Sequence, residues 1–264
     1  NQDNVIYVDD DNTLGPWDGS IEHPYQFIQY GIDIAIDGDT IFVYNGTYYE
    51  HITVDVSILL IGENKETTSV ISPGNPDVES VINIIKDRVT IKNFTILYSP
   101  YKKEYGEGGL NINSNNNIIT NNIIKPINTS YLSSYDYGVR LFQNENNLIS
   151  NNIIKSNGGA ISFSSSNNIT ITYNTIQSFY GSWLENVTNS YFNFNNFLRA
   201  PLSFKSITFI NSYNNTWYGN YWNRPRILPK PIRGLYFVYL EPIRFLIDFD
   251  WHPAKKPYDI DSIK

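Results

Sequence analysis

The sequence predicts an all-β parallel β-helix, a coil of short strands stacked rung upon rung. Three observations point there. An apolar residue, an Asn three places on and a second apolar residue two further recur along the chain. Residues 111–223 hold 27 Asn, too many for exposed loops alone to explain. The composition, 41% hydrophobic and only 17% charged, suits β structure with many turns and supplies ample material for a core.

The recurring unit reads Ile119/Asn122/Ile124, Ile149/Asn152/Ile154, Ile171/Asn174/Ile176, Phe192/Asn195/Phe197 and Trp217/Asn220/Trp222. An earlier copy, Ile91/Phe94/Ile96, lacks the Asn, and the steps between copies are 28, 30, 22, 21 and 25 residues. A rung of two or three strands buries its apolar positions only when another rung stacks on it, about 4.8 Å away. Equivalent Ile residues should then form an interior file, with the Asn in a second file at a turn. Asn tolerates left-handed backbone there and can bond the Asn above and below it. A β-sandwich would give no reason for one Asn to recur at one offset.

The first ninety residues read differently. Ile6–Val8 is a strand, Pro24–Ile36 has helical spacing, and Gly38-Asp39 turns into the strand Thr40–Tyr44. Further strands are expected at 52–54, 57–61 and 81–85. The helix would cap one end of the coil and cover strand edges that otherwise template aggregation. Residues 1–222 are expected to form the solenoid, with the N-terminal cap covering about 1–56. Residues 223–264 leave the repeat: Pro225, Pro229, Pro231, Pro242, Pro253 and Pro257 interrupt aromatic stretches. This Pro- and aromatic-rich tail is expected to fold back on the last rung, and a partner-docking arm is the alternative.

Composition also excludes functions. There is no Cys and no Met, hence no disulfide and no thiolate nucleophile or ligand. No apolar run is long enough to span a bilayer. The net charge of −7 is split unevenly: residues 1–87 carry 16 acids and 2 bases, a balance of −14, while 88–222 carry +4 and 223–264 carry +3. No basic cluster is dense enough to track phosphates, so nucleic acid is not an expected partner. The oppositely charged ends predict head-to-tail attraction, whereas end caps oppose it, and a monomer is expected in dilute solution. The start at Asn1 reads as a mature form after signal-peptide removal, secreted or attached to the cell envelope. Six sequons agree with export: Asn45, Asn93, Asn128, Asn168, Asn186 and Asn214.

Several segments are specific enough to carry a resemblance. These are Ile6-Tyr-Val-Asp-Asp-Asp-Asn, Gly15-Pro-Trp-Asp-Gly, His23-Pro-Tyr-Gln-Phe-Ile-Gln, Gly38-Asp-Thr-Ile-Phe-Val, Asn45-Gly-Thr-Tyr-Tyr-Glu, Ile58-Leu-Leu-Ile-Gly-Glu and the close Asn215-Thr-Trp-Tyr-Gly-Asn-Tyr-Trp. They resemble secreted right-handed parallel β-helix repeat proteins of the pectate-lyase-like superfamily, in particular its NosD-like group of archaeal envelope proteins. The resemblance covers nearly the whole chain and implies the fold. Its functional implication is broad, because the group includes sugar-cleaving enzymes, copper-delivery proteins and surface modules.

Copper sites want Cys, Met or His. Only His23, His51 and His252 are present, far apart in sequence, so a copper role is not expected. Sugar cleavage on this fold needs paired carboxylates, or a calcium cage with an Arg or Lys base. Residues 88–222 hold just five acids, of which Glu107 and Asp136 fall at nearly equivalent places on neighbouring rungs. Stacked, they would lie roughly 5 Å apart, the spacing of a retaining hydrolase. Arg140 and Lys103 are nearby in sequence. Chance placement on two long loops accounts for this equally well.

Those loops, Tyr98–Gly109 and Lys125–Gly138, lengthen two rungs at one corner and carry Tyr98, Tyr101, Tyr105, Tyr131, Tyr135 and Tyr137. Flat amphipathic rings suit sugar binding, although the same Tyr could pack on one another. Asp9, Asp11 and Asp18 offer hard oxygens to calcium, with a capping turn as the alternative. The resulting expectation is a non-catalytic, secreted or envelope β-helix with a structural or glycan-recognition role. A cell-surface or environmental polysaccharide is its expected partner; an envelope protein or self-association comes second. The alternative is a polysaccharide hydrolase or lyase acting at the two-loop corner.

Overall fold

The computed structural model describes residues 4–74, 78–99, 108–127, 136–199, 207–236 and 244–260. They form a right-handed parallel β-helix of three sheets. The first sheet has nine strands, from Val5–Val8 to Thr216–Tyr218, and the second has seven, from Gly46–Tyr49 to Asn196–Arg199. The third has nine, from Ile52–Val54 through Ile207–Ile210 to Lys230–Tyr236 and Arg244–Asp250. Every pairing is parallel except the last, where Arg244–Asp250 runs antiparallel to Lys230–Tyr236.

The expected interior file is present and longer than the repeat suggested. Ile6, Ile41, Leu60, Ile91, Ile119, Ile149, Ile171, Phe192 and Trp217 pair in register along the first sheet, all buried. On the second sheet Ile96, Ile124, Ile154, Ile176 and Phe197 do the same. Both files end in rings. Phe192 stacks on Trp217 at 4.2 Å and Phe197 on Trp222 at 4.5 Å. Large flat side chains fill the last layer, where no further aliphatic rung is stacked.

Between these sheets the five Asn form the predicted ladder. From Asn152 on, each amide oxygen accepts the backbone N–H and the side-chain NH2 of the Asn one rung before, as Asn174 Oδ1 does from Asn152 at 2.9 and 3.1 Å, while Asn122 Oδ1 accepts Phe94 N at 3.0 Å. Each NH2 also donates to the carbonyl of an interior-file residue one rung back, as Asn174 does to Ile149 at 2.8 Å. All five are buried, so the ladder satisfies backbone groups that a tight corner would otherwise orphan. The residue before each rung is left-handed: Asn93, Asn121, Asn151, Tyr173 and Phe194 have φ of 54–67°, and Gly219 has 68°. Asn adopts this readily; Tyr and Phe do so at a cost, which the stacking of Tyr173 on Phe194 (5.1 Å) offsets.

A second buried ladder, not anticipated from the repeat, lines another corner. Asn117 Oδ1 accepts Val89 N at 2.9 Å, and Asn147 Oδ1 accepts Asn117 N at 2.8 Å. Ser190 then substitutes, taking Ile169 N at 3.0 Å.

The N-terminal helix is shorter than predicted, Ile28–Ile34. Residues 24–27 are not helical because Tyr25 bridges the edge strand: its N–H donates to Tyr7 O and its carbonyl accepts from Asp9 N. That edge is thereby covered. The helix start is held by Glu50, whose carboxylate accepts the N–H groups of Ile28 and Gln29 at 2.8 and 3.0 Å. Ile28, Gly31 and Ile32 bury against Ile6, Val8 and Ile41, closing the interior at this end. At the other end the tail continues the third sheet and then crosses the last rung. Tyr258 exchanges two hydrogen bonds with Asn196 (2.8 Å each), and its hydroxyl donates to Gly219 O at 2.6 Å.

Candidate functional site

The two insertions, Tyr98–Gly109 and Lys125–Gly138, precede or overlap the third-sheet strands Gly108–Ile112 and Tyr137–Phe142 in sequence, and their residues 100–107 and 128–135 lie outside the described residues. Glycine starts these strands for a steric reason. A Cβ on Gly109 would lie 2.4 Å from Ile124 and one on Gly138 2.4 Å from Ile154, both members of the second-sheet file. From there the strands run outward side by side. Register places Asn83, Asn111, Arg140, Ser162, Trp183 and Thr208 in one outward file. Phe142, Ser164, Glu185 and Ile210 form the next.

This face combines amide, guanidinium, hydroxyl and indole groups on successive rungs. Arg140 pairs with Glu79 at 3.5 Å and lies over the rings of Tyr137 (5.6 Å) and Phe142 (5.9 Å). Asn111 Nδ2 donates to Asn83 Oδ1 at 3.3 Å, and Asn111 Oδ1 has no partner among the described residues. Trp183 is 43% exposed and Phe142 is 40% exposed. His51 lies at the start of the sheet with Nδ1 3.2 Å from Ser80 O. Burial holds its pKa below the ordinary value, against the carbonyl contact, which raises it.

The residues singled out in the sequence fall in three groups. Tyr101, Tyr105, Tyr131, Tyr135, Glu107, Lys103 and Asn128 lie outside the described residues. Tyr98 and Tyr137 are corrected: neither presents an open face. Tyr98 is wholly buried, its hydroxyl donating to Lys155 O at 3.0 Å. Tyr137 is 7% exposed, laid flat over Gly108 with its hydroxyl on Glu79 O at 3.1 Å. Asp136 is also buried, at 1% exposure, and its carbonyl accepts Gly159 N at 2.9 Å. Arg140 alone of the four suggested catalytic groups stands on the described outer face.

The acidic turn does not gather into a cage. Asp9 Oδ1 accepts Asp11 N, Asp18 Oδ1 accepts Ser20 N and Asp10 Oδ2 accepts Thr47 N. Asp9 and Asp18 close turns and Asp10 ties the turn to Gly46–Tyr49, and the bonds from the Ser20 hydroxyl and N–H hold Asp18 below the usual carboxylate pKa. Among the described residues no three His, Asp or Glu side chains converge as metal ligands. Of the sequons, Asn45, Asn168, Asn186 and Asn214 are exposed, while Asn93 is half-buried and accepts from Asn121 Nδ2 at 2.8 Å.

Glu79, Asn111 and Trp183 did not stand out in the sequence. The insertions hide the third-sheet register, but Gly108-Gly109, Gly138 and Gly158-Gly159 mark its strand starts and could have aligned Asn111 with Arg140.

No helix among the described residues is long and apolar enough to cross a membrane. No protein-family model matches the chain, and no curated protein matches it by sequence. Solved structures do. The Escherichia coli protein ybhC superposes with a TM-score of 0.58 at 12% identity, over 82% of this chain and 72% of that one. Carrot pectin methylesterase matches at 0.46 with 10% identity, over 80% and 82%. Lacto-N-biosidase from Eubacterium ramulus matches at 0.49 with 10% identity, over 80% and 56%. At these identities the likeness is one of fold.

Proposed function

We propose that this protein is a non-catalytic β-helix module of the extracellular medium or cell envelope, like the NosD-like proteins its sequence resembles. Its task is to recognise glycans on the outer face of the third sheet. The observation that supports this reading is the file Asn83, Arg140, Ser162 and Trp183 on the outer face of the third sheet, with Asn111 buried between Asn83 and Arg140. Rungs about 4.8 Å apart present one polar or aromatic group per step, close to the length of one pyranose ring. Amides and the guanidinium bond hydroxyls, and the indole offers a flat apolar face.

The test is a panel of neutral and acidic polysaccharides, read both for retardation in affinity electrophoresis and for released oligosaccharides. Binding without release, lost on Trp183→Ala and weakened on Arg140→Ala, is the expected result. Absence of binding to every polysaccharide, or binding unaffected by both substitutions, overturns it. Release of product would favour the hydrolase or lyase reading instead.

A further inference from the structure

We propose that copies of this chain associate head to tail through their end caps, by docking of the side chains exposed there. This inference is independent of the glycan reading and uses surfaces outside it.

At both ends the edge of the first sheet and the Asn corner are closed to backbone pairing, while Arg244–Asp250 ends the third sheet as its edge strand. At the N-terminal end the helix covers the interior, and Tyr25 covers the edge of Val5–Val8. At the C-terminal end the tail takes the groups a further rung would use: Ala254 N donates to Asn220 O, and the Asp250 carboxylate receives the Asn ladder. Yet both caps are apolar on their outer sides. Phe27, Tyr30, Ile34 and Ile36 are 40–54% exposed on and beside the helix, whose opposite face is the one buried in the core. Beyond the last rung Ile227, Leu228 and Trp251 are 91%, 76% and 63% exposed. Soluble monomers rarely cluster large apolar groups in this way without a partner.

Charge identifies the partner as a second copy. Exposed Glu22 and Asp33 flank the apolar side chains of the first cap; Asp37, also there, is paired with Lys86 at 3.3 Å. Exposed Arg224, Lys255 and Lys256 flank those of the second, with Asp259 the acid among them. The wider field has the same sense, −14 over residues 1–87 against +7 over the remainder. An apolar acidic cap meets an apolar basic cap, which favours head to tail over head to head. Such a contact is heterologous and leaves a free end at each side, so it propagates as a filament unless ended.

The experiment is light scattering of the full chain across protein concentration at low and near-physiological salt, with two surface variants. At low salt the weight-average mass should rise with concentration to at least twice the monomer value. It should fall as screening shortens to about 8 Å. Leu228→Glu with Ile227→Glu blocks one end, and Tyr30→Lys with Ile34→Lys blocks the other. Each variant alone should remain monomeric, and their equimolar mixture should stop at dimers, because one good cap of each kind remains. All four positions are exposed, and circular dichroism melts matching the parent exclude unfolding as the cause. A parent that stays monomeric at low salt and high concentration overturns the proposal. So does a dimer abolished by only one variant, or a mass unchanged by both. Binding of anionic phosphatidylserine vesicles by the monomeric parent, lost with the Leu228 variant, would assign that cap to a lipid surface instead.

Discussion

Asp250 stands where the next Asn of the ladder would stand above Asn220. Its Oδ2 accepts Asn220 N at 2.9 Å and Asn220 Nδ2 at 3.1 Å, the same pair of bonds that Asn220 Oδ1 accepts from Asn195 one rung earlier. It also takes Trp222 Nε1 at 3.0 Å, and its Oδ1 takes Gly219 N and His252 N at 3.2 Å each. A repeating file of donors must end somewhere. A buried aspartate side chain, with two acceptor oxygens turned to the donors, ends it. The aspartate comes from an antiparallel strand outside the repeat, so the non-repetitive tail completes the chemistry of the repetitive part.

Replacing Asp250 by Ala should therefore cost about 3–5 kcal/mol, because several buried N–H groups lose their acceptor together. Asp250→Asn keeps the oxygen toward Asn220 but adds an NH2 among donors, and should cost about 1–2 kcal/mol. Urea unfolding of the three proteins measures both. Equal stability of the Ala variant and the parent would show that the ladder needs no terminator.

The middle of the ladder should be as sensitive as its end. Ile171→Ala opens a cavity between Ile149 and Phe192 and should cost about 2–5 kcal/mol. Asn174→Ala removes the acceptor of Asn152 and the donor to Ile149 O in a fully buried corner, and should cost about 2–4 kcal/mol. Thermal melts of each against a surface control such as Thr172→Ala would rank them. A buried Asn loss no larger than the control would mean that the corner holds without its ladder.

How much of this was legible follows from where the repeat is regular. The apolar–Asn–apolar unit spans the corner between the first and second sheets, and there each rung has the same length, so offsets in sequence are offsets in space. Ile119, Ile149, Ile171, Phe192 and Trp217 could be aligned without any coordinates. The third sheet begins after the insertions, whose unequal lengths break that arithmetic, and Asn111 was not connected to Arg140. The second ladder was obscured differently: Asn117 and Asn147 give way to Ile169 and Ser190, whose hydroxyl takes over as acceptor before Asn215 resumes. Tyr98 and Tyr137 misled because an aromatic residue beside a loop reads as exposed, whereas here Gly108 and Gly109 leave room for both rings to lie inside.

That packing is testable at Gly108. A Cβ there would lie 2.0 Å from the Tyr137 ring. Gly108→Ala should cost about 1–3 kcal/mol by displacing that ring, and Tyr137→Ala in the same chain should recover part of it. The double-mutant cycle reads the coupling directly. Additive losses would place the strain elsewhere than between these two residues.

The last prediction concerns pH and His51. Burial is the larger influence on its imidazole and lowers the pKa from 6.5, while the contact with Ser80 O works the other way. A histidine whose pKa is depressed on folding binds fewer protons in the folded state than in the unfolded one. Its contribution is complete above the unfolded value of 6.5 and is lost as the pH falls through 6.5 toward the folded value. Stability should thus decline between pH 7.5 and 5.5 more in the parent than in His51→Gln, which cannot titrate. His51 is half-buried and a single group, so the difference should be small, no more than about 2 °C in Tm. Glu50 is the nearby group with the opposite tendency, since burial raises its pKa and protonation then favours the folded chain. Its effect begins above its unfolded value of 4.5, and because both proteins share it, it cancels in the comparison. Melting curves of the two proteins at four pH values therefore isolate the histidine. A parent that gains stability relative to His51→Gln on acidification would reverse the sign and show that His51 is held in its charged form.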